Sequence, residues 1–199
     1  MINIENRISL SKASKIIVKE LVRQQKGLNS KSWDAISKNV KNEISKKLLY
    51  NQRAKCVYCE RYFIGLKNEI DHFAHKGEYS QYTFVTTNLF YSCNYCNSLI
   101  KNQRPTIVGN ANINYKINDF LIIHPYFHNP DKEIVFKDKD RVDFDWENCS
   151  KLGKDTITFW YWDEFVSTKI RAKTVLLERL EPLSTIEEIT LIQEIIAYK

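Results

Sequence analysis

Two closely spaced pairs of cysteines constrain this chain more than any other feature of its sequence. The pairs are Cys56/Cys59 and Cys93/Cys96, and residues 60–92 separate them. Two CxxC pairs are typical of a tetrahedral zinc site, because each pair forms a tight turn that directs both sulfurs towards one point. Four unrelated buried cysteines would rarely show this spacing. The sequence therefore predicts a structural Zn²⁺ held by four thiolates, a closed site that stabilises the fold and does not catalyse.

The composition predicts a folded protein of the cytoplasm. Of its 199 residues, 43% are hydrophobic and 13% are aromatic, which argues against disorder. The N-terminus lacks the apolar core of a secretion signal, and no apolar run approaches the ~18 residues that cross a bilayer. We therefore expect a cytoplasmic chain without a membrane partner. Cysteines are reduced in that compartment, which favours metal binding over a disulfide framework.

Positive charge is concentrated in the N-terminal part of the chain. Residues 1–55 contain 13 Lys/Arg and 4 Asp/Glu, a balance of +9, whereas the remainder contains 17 and 20, a balance of −3, consistent with the net +6. A basic segment favours a polyanionic partner, because each phosphate contact releases counterions. A solvated, lysine-rich helical face explains the same charge equally well, so charge alone does not choose between them.

Hydrophobic periodicity predicts an α+β chain in which helices at both ends frame a small metal-held core. The predicted helices cover residues 9–26, 32–50, 97–102 and 156–180, and a last helix opens at Ser184 with a capping box. The core is predicted to contain a hairpin at 56–63 and a strand at 69–73, and residues 106–150 are predicted to be irregular. We expect three regions packed as one domain, namely a basic helical region 1–52, a core 53–104 and an extension 105–199.

A cluster of polar residues lies within and directly after the segment that the cysteine pairs bracket. It contains the dipeptide Asp71-His72, then Asn88, and finally Asn97 directly after the last cysteine. Metal-assisted phosphodiester hydrolysis needs a base to activate water and a hard cation to stabilise charge on the phosphate. His72 suits the base, and the oxygens of Asp71 and Asn97 suit Mg²⁺. An Asp-His dipeptide alone is more often structural, and only its position between the cysteine pairs favours catalysis.

The order Cys-x-x-Cys, Asp-His, Asn-Leu, Cys-x-x-Cys-Asn resembles the HNH, or ββα-metal, endonuclease motif in its zinc-supported form. The resemblance covers residues 53–104, and the last position is Asn97 where many such enzymes have histidine. It implies a ββα-metal core with His72 as general base and with Asp71 and Asn97 as ligands of a catalytic Mg²⁺ or Mn²⁺. It also implies that Asn88 holds the His72 loop and imidazole in place.

The wider pattern resembles HNH subunits of Septu-type and retron-associated anti-phage defence systems. This resemblance implies a nuclease that acts on the phosphate backbone of DNA and works beside an ATPase subunit of the same system. Lys101, one turn after Asn97, is expected to meet a phosphate. His75 is expected to be a loop residue that contacts phosphate rather than metal.

Two other classes of function fit the same residues. One is a non-catalytic zinc-ribbon module that binds nucleic acid or protein through the basic helices. The other is a partner-dependent effector that is inert alone. A pure binding module has no need of Asp71, His72, Asn88 and Asn97 in this order, which favours the enzyme.

The remaining candidates are expected to be structural or peripheral. His124 and His128 are four residues apart, but the prolines at 125 and 130 argue against a helix that would align them on a metal. The aromatic run 159–162 is expected to pack rather than to stack on bases. Arg171 and Lys173 extend a predicted DNA-contacting surface, and Cys149 is expected to be an ordinary thiol.

Overall fold

The structure, a computed structural model, describes residues 1–63 and 67–180, which divide into two units between residues 130 and 131. Its elements are α1 (Lys12–Gln24), α2 (Ser32–Ala35), α3 (Lys38–Asn51), β1 (Asn68–His72), β2 (Leu89–Cys93), a π-helix (Tyr95–Lys101), α4 (Pro130–Glu133), α5 (Lys151–Phe159) and α6 (Phe165–Leu180). The predicted α+β class is confirmed as a mixture of helices with a small two-stranded sheet. The predicted helix at Ser184 lies outside the described residues.

Helix α1 begins where its sequence supplies a cap. The Ser11 hydroxyl accepts a hydrogen bond from the Ser14 amide at 3.2 Å, which satisfies one of the free donors of the first turn. Gly27, three residues beyond the helix, has a φ of 129°, a value that favours glycine. The helix predicted at 9–26 is therefore confirmed with tighter bounds.

The prediction of one helix over residues 32–50 is wrong in one respect, because the helix is interrupted between α2 and α3. Ile36 has an extended backbone, with φ −70° and ψ 147°, and Ser37 is the N-cap of α3. The Ile36 side chain is nevertheless buried. An apolar residue can thus keep the three-to-four-residue rhythm of a helix while its own backbone is extended.

The core of the first unit forms where α3 packs against the sheet. Its buried members are Ile8, Leu10, Ile36, Val40, Ile44, Leu48 and Leu89. The spacing of four residues along α3 places one apolar face towards the sheet, which is the arrangement expected for an amphipathic helix. The burial of this face holds the basic N-terminal helices against the strands.

The two strands pair antiparallel and define the register of the site. Asn68 pairs with Cys93 at one end, and His72 pairs with Leu89 at the other. The strand predicted at 69–73 is confirmed within one residue, as Asn68–His72. Within the segment predicted as a hairpin at 56–63, Tyr62 forms an antiparallel bridge with Lys55, the residue just before the segment. The helix predicted at 97–102 begins earlier and is a π-helix.

The second unit contains a break that the sequence did not predict. Helices α5 and α6 replace the single helix predicted at 156–180, and Tyr161 in the connection has a φ of 53°. Trp160 is fully buried and Phe159 nearly so, which confirms packing for this part of the aromatic run. Gly153 lies so close to the Glu133 carbonyl that an added Cβ would meet its oxygen at 2.0 Å.

No helix in the described ranges combines the length and the apolar composition that a membrane crossing requires.

Candidate functional site

The four paired cysteines converge on one point, as the spacing predicts. Their sulfur atoms all lie within 4.8 Å of one another, and the Cys59 and Cys93 sulfurs are 3.8 Å apart. A zinc ion bound at about 2.3 Å from each of four sulfurs would place those sulfurs roughly 3.8 Å apart. These four cysteines could therefore hold a metal ion such as zinc.

Arg61, which the sequence analysis missed, supplies positive charge to this cluster. Its guanidinium donates to the Cys59 sulfur at 3.4 Å and to the Cys93 sulfur at 3.9 Å. Hydrogen bonds from Cys56, Cys93 and Cys96 hold the pKa of Cys59 well below its usual range, and the Arg61 charge adds to this effect. A four-thiolate zinc site is a dianion, so a neighbouring guanidinium stabilises it. The feature of the sequence that could have identified Arg61 is its position two residues after a CxxC pair.

His72 lies at the end of β1 with its ring held by two neighbours. The Nε2 atom is 3.1 Å from the Thr83 carbonyl oxygen, and the Trp33 ring packs edge-on with a centroid distance of 4.7 Å. Because a carbonyl oxygen can only accept, Nε2 must carry the proton and Nδ1 keeps a lone pair. Burial lowers the pKa of His72 to about 3, so the ring is neutral near pH 7. Neither Trp33 nor Thr83 was predicted from the sequence as a support of this ring.

Asn88 is buried and uses its whole amide on the backbone of the loop after β1. Its Oδ1 accepts from the Ala74 amide at 2.7 Å, and its Nδ2 donates to the Ala74 and Tyr82 carbonyls at 3.2 and 3.1 Å. These bonds join the loop to the turn that presents the Thr83 carbonyl. Asn88 thus contacts the loop backbone, and the carbonyl of Thr83 is the group that contacts the imidazole.

Asp71 is buried and satisfied by two donors. The Tyr58 hydroxyl donates to one carboxylate oxygen, and the Lys101 ammonium lies 2.9 Å from the other. Lys101 also donates to the His72 carbonyl at 2.8 Å, and only 1% of its side chain is exposed. The expectation that Lys101 meets a phosphate is therefore corrected: the structure turns it inward, because a buried carboxylate requires a counter-charge.

Asn97 is fixed by Glu69, a residue that the sequence analysis did not select. Its Nδ2 donates to a Glu69 carboxylate oxygen at 2.8 Å, and Ser98 donates to the same oxygen at 3.0 Å. Partial burial raises the pKa of Glu69, but these hydrogen bonds outweigh that effect and leave it below its usual range. With Nδ2 engaged, Oδ1 is the atom of Asn97 left for a cation.

An open cleft brings several of these residues together. It is lined by Ile70, Asp71, His72, His75, Lys76, Asn97, Ser98 and Asn102. Asp71, His72, Asn97 and His75 thus share one cleft. Asn88 and Lys101 do not line it, and each acts on a residue or loop that does.

The two residues of the second histidine pair contact each other, since the His128 Nδ1 accepts from the His124 amide at 2.9 Å. His124 is fully buried, and the neighbouring ring of Phe127 stacks on it at 4.2 Å. Its Nε2 lies 3.0 Å from the Tyr115 hydroxyl, and its Nδ1 accepts from the Tyr126 amide at 3.2 Å. With Nδ1 accepting and the ring buried among aromatic side chains, it offers no open position to a metal.

Two candidates in the second unit also have structural contacts. Arg171 is expected at a DNA-contacting surface, but its guanidinium donates to the Val142 carbonyl at 2.9 Å and the Trp162 carbonyl at 2.6 Å. It is therefore engaged in holding its own unit together. Cys149 is buried, and its sulfur accepts from the Val135 amide at 3.3 Å.

Comparison with models of known protein families gives no match, and comparison with curated proteins gives no significant similarity. Any function therefore has to be argued from the four-cysteine cluster and the cleft themselves.

Proposed function

We propose that this protein is a metal-dependent endonuclease of the HNH, ββα-metal type that hydrolyses phosphodiester bonds of DNA. One observation carries the proposal: His72, with its proton fixed on Nε2 by the Thr83 carbonyl, lines the same cleft as Asp71 and Asn97. A proton acceptor and two oxygen donors in one cleft are the groups that such hydrolysis requires.

The proposed role of His72 is to accept a proton from the attacking water. Its Nδ1 lone pair is the acceptor, because the Nε2 proton is directed at the Thr83 carbonyl. Contacts with Thr83 and Trp33 fix the ring plane, so little reorganisation is needed when a substrate binds.

The proposed ligands of a catalytic Mg²⁺ or Mn²⁺ are the Asp71 carboxylate and the Asn97 side-chain oxygen. Both are hard oxygen donors, which these cations prefer. Although Tyr58 and Lys101 already donate to Asp71, each carboxylate oxygen can accept more than one contact. The cation, when bound, would stabilise negative charge that develops on the phosphate.

The four-cysteine cluster would act as the scaffold of this cleft. Cys93 ends β2 directly opposite Asn68 of β1, and Cys96 immediately precedes Asn97. A zinc ion at the cluster would therefore fix the start of the π-helix relative to β1. This would hold Asn97 near Asp71 without taking part in the reaction.

The proposed substrate and setting come from charge and from the resemblance stated above. The excess of Lys and Arg in residues 1–55 suits the phosphate backbone of DNA, whose contacts carry little sequence information. Specificity would then come from elsewhere, and an ATPase subunit of an anti-phage defence system is the proposed partner.

A plasmid-nicking assay tests the proposal. Supercoiled plasmid is incubated with wild type, His72→Ala or His128→Ala in Mg²⁺ or Mn²⁺, after equal zinc content and equal melting temperature have been verified. We expect wild type and His128→Ala to nick the plasmid and His72→Ala to be slower by at least about 100-fold, because general base catalysis contributes on that order. Equal rates for wild type and His72→Ala would remove His72 from the mechanism.

A second candidate function is a zinc-supported module that binds nucleic acid without cutting it. The ion pair between Asp71 and Lys101 favours it, because the carboxylate is already compensated without a divalent cation. Such a module would bind DNA equally well with and without Mg²⁺ and would never nick it. Nicking that depends on both Mg²⁺ and His72 would exclude this candidate.

A further inference from the structure

One wall of the cleft is formed by the residues that follow β1. His75 and Lys76 lie there, beside the cleft residues Asp71, His72 and Asn97. Both side chains are half-buried, so each is supported by the protein and still reachable from the open cleft. This wall therefore offers polar groups to a ligand that enters.

Lys76 is placed to meet an anion, whereas Lys101 is not. The Lys101 ammonium is buried and pairs with Asp71 at 2.9 Å. Lys76 is accessible, and no acidic side chain in residues 1–63 or 67–180 forms an ion pair with it. An accessible ammonium without an internal counter-ion, in a cleft, is a suitable partner for an external anion.

The Lys76 charge is felt by both imidazoles of the cleft. Burial is the main cause of the lowered pKa of His72 and of His75, and the positive charge of Lys76 contributes to both. Lys76 also lines the same cleft as both rings. A phosphate drawn to Lys76 would accordingly lie beside His72.

The His75 ring lies close to Gly77. A Cβ added to Gly77 would lie 2.6 Å from the His75 Cε1 atom and 3.0 Å from Nδ1. The His75 carbonyl also accepts from the Glu78 and Tyr79 amides at 3.1 and 2.8 Å, which fixes the backbone of the turn. A neutral imidazole in this position offers one N–H donor to the cleft.

We infer that His75 and Lys76 form a phosphate-binding wall that takes a phosphodiester group of a polynucleotide. The Lys76 ammonium pairs with a non-bridging oxygen, and the His75 N–H donates a hydrogen bond to the same phosphate. The inference rests on the proposed function, since it assigns the contact that would hold the substrate of that function beside His72.

A salt titration of DNA binding tests the role of Lys76. Binding of a labelled duplex is measured by fluorescence anisotropy over a series of NaCl concentrations, with Ca²⁺ in place of Mg²⁺ to prevent turnover. For Lys76→Gln we expect the slope of log K against log salt to become shallower by about 0.9, the loss of one phosphate contact. Lys76→Arg, which keeps the charge, is expected to keep the wild-type slope. Lys116→Gln removes an exposed lysine outside the cleft and is the matched control.

Gly77→Ala tests the His75 ring without altering its chemistry. The new methyl group displaces the ring, and because the clash is with a side chain the fold is retained. We expect KM for plasmid cleavage to rise about 3- to 10-fold, the loss of one hydrogen bond, in both Gly77→Ala and His75→Ala. The double variant Gly77→Ala/His75→Ala is expected to have the same KM as His75→Ala, since both substitutions act through the His75 ring.

The outcomes separate this inference from the proposed function. A wild-type salt slope in Lys76→Gln overturns the phosphate-binding wall, whether or not the protein cuts, and a wild-type KM in His75→Ala removes His75 from it. A wild type that binds the duplex but never cuts it overturns the nuclease proposal, while the salt slopes still decide the wall. A wild type that binds neither DNA nor RNA overturns both.

Discussion

A single backbone carbonyl decides which nitrogen of His72 can accept a proton. Thr83 presents its oxygen to Nε2 at 3.1 Å, and the Asn88 amide holds the turn that carries this oxygen. The polar residues of the motif thus divide between two tasks. His72 and Asp71 line the cleft, whereas Asn88 and Lys101 lie outside it and hold these residues or their loop in place.

The buried pair of Asp71 and Lys101 predicts a large difference between two lysine substitutions. Lys101→Met leaves a buried carboxylate without its counter-charge, so the free energy of unfolding should fall by about 3–5 kcal/mol. Lys151→Met removes an ion pair with Asp155 in which the lysine side chain is 89% exposed, and about 1 kcal/mol or less is expected. Urea unfolding of both variants at pH 7.5 measures the difference. Equal losses would contradict the burial of Lys101.

At the scale of elements, the C-terminus of α3 is fastened to the edge of β2 by one side chain. Gln52 is buried, and its amide group exchanges two hydrogen bonds with the backbone of Tyr91, at 2.6 and 2.8 Å. It therefore pairs with the strand as a neighbouring strand would. This contact links the basic helices to the hairpin that carries Asp71 and His72.

Removal of that contact should loosen the hairpin. In Gln52→Ala the Tyr91 amide loses its partner, while the Tyr91 carbonyl keeps only the Val57 amide at 3.2 Å, and a loss of about 1–3 kcal/mol in the free energy of unfolding is expected. The adjacent residue provides the control: Asn51 donates only to the Asn6 carbonyl on the exposed surface, at 2.8 Å. Asn51→Ala should change the unfolding free energy by less than about 1 kcal/mol in the same urea titration. A reversed order of the two losses would exclude this function for Gln52.

At the scale of the whole molecule, buried neutral imidazoles make stability depend on pH. Burial holds the pKa of His124 well below 6.5, and the nearby His128 lowers it further. The groups that face the ring include the Tyr115 hydroxyl, the Tyr126 amide, the Thr87 backbone, His128 and aromatic side chains. Below the ordinary histidine pKa the unfolded chain therefore binds a proton that the folded chain does not.

The sign of the effect follows from this difference. Stability from His124 is complete above pH 6.5 and falls as the pH decreases, by up to about 1.4 kcal/mol per pH unit. His124→Gln should be less stable than wild type at pH 7.5, and the gap should narrow at pH 5.5. Urea unfolding at both pH values, with the zinc concentration held constant, measures the difference in unfolding free energy between wild type and His124→Gln at each pH. Parallel losses in both proteins would show that His124 does not bind a proton on unfolding.

Local patterns in the sequence predicted what depends on spacing, and missed what depends on distant contacts. The four cysteines and β1 were predictable, because CxxC spacing and strand signals are local. The break at Ile36 was not, since a buried residue keeps the helical rhythm whether or not its backbone is helical. The inward turn of Lys101 results from Asp71, 30 residues earlier in the chain. No local pattern reports such a contact.

The ammonium of Lys101 has a consequence for any divalent ion that binds Asp71. The Asp71 carboxylate is already paired with the Lys101 ammonium, which belongs to the π-helix. An incoming ion would have to compete with this ammonium, whose effective concentration at the site is constant. For any divalent ion at this position, half-saturation would require a higher concentration than at a carboxylate without a paired ammonium.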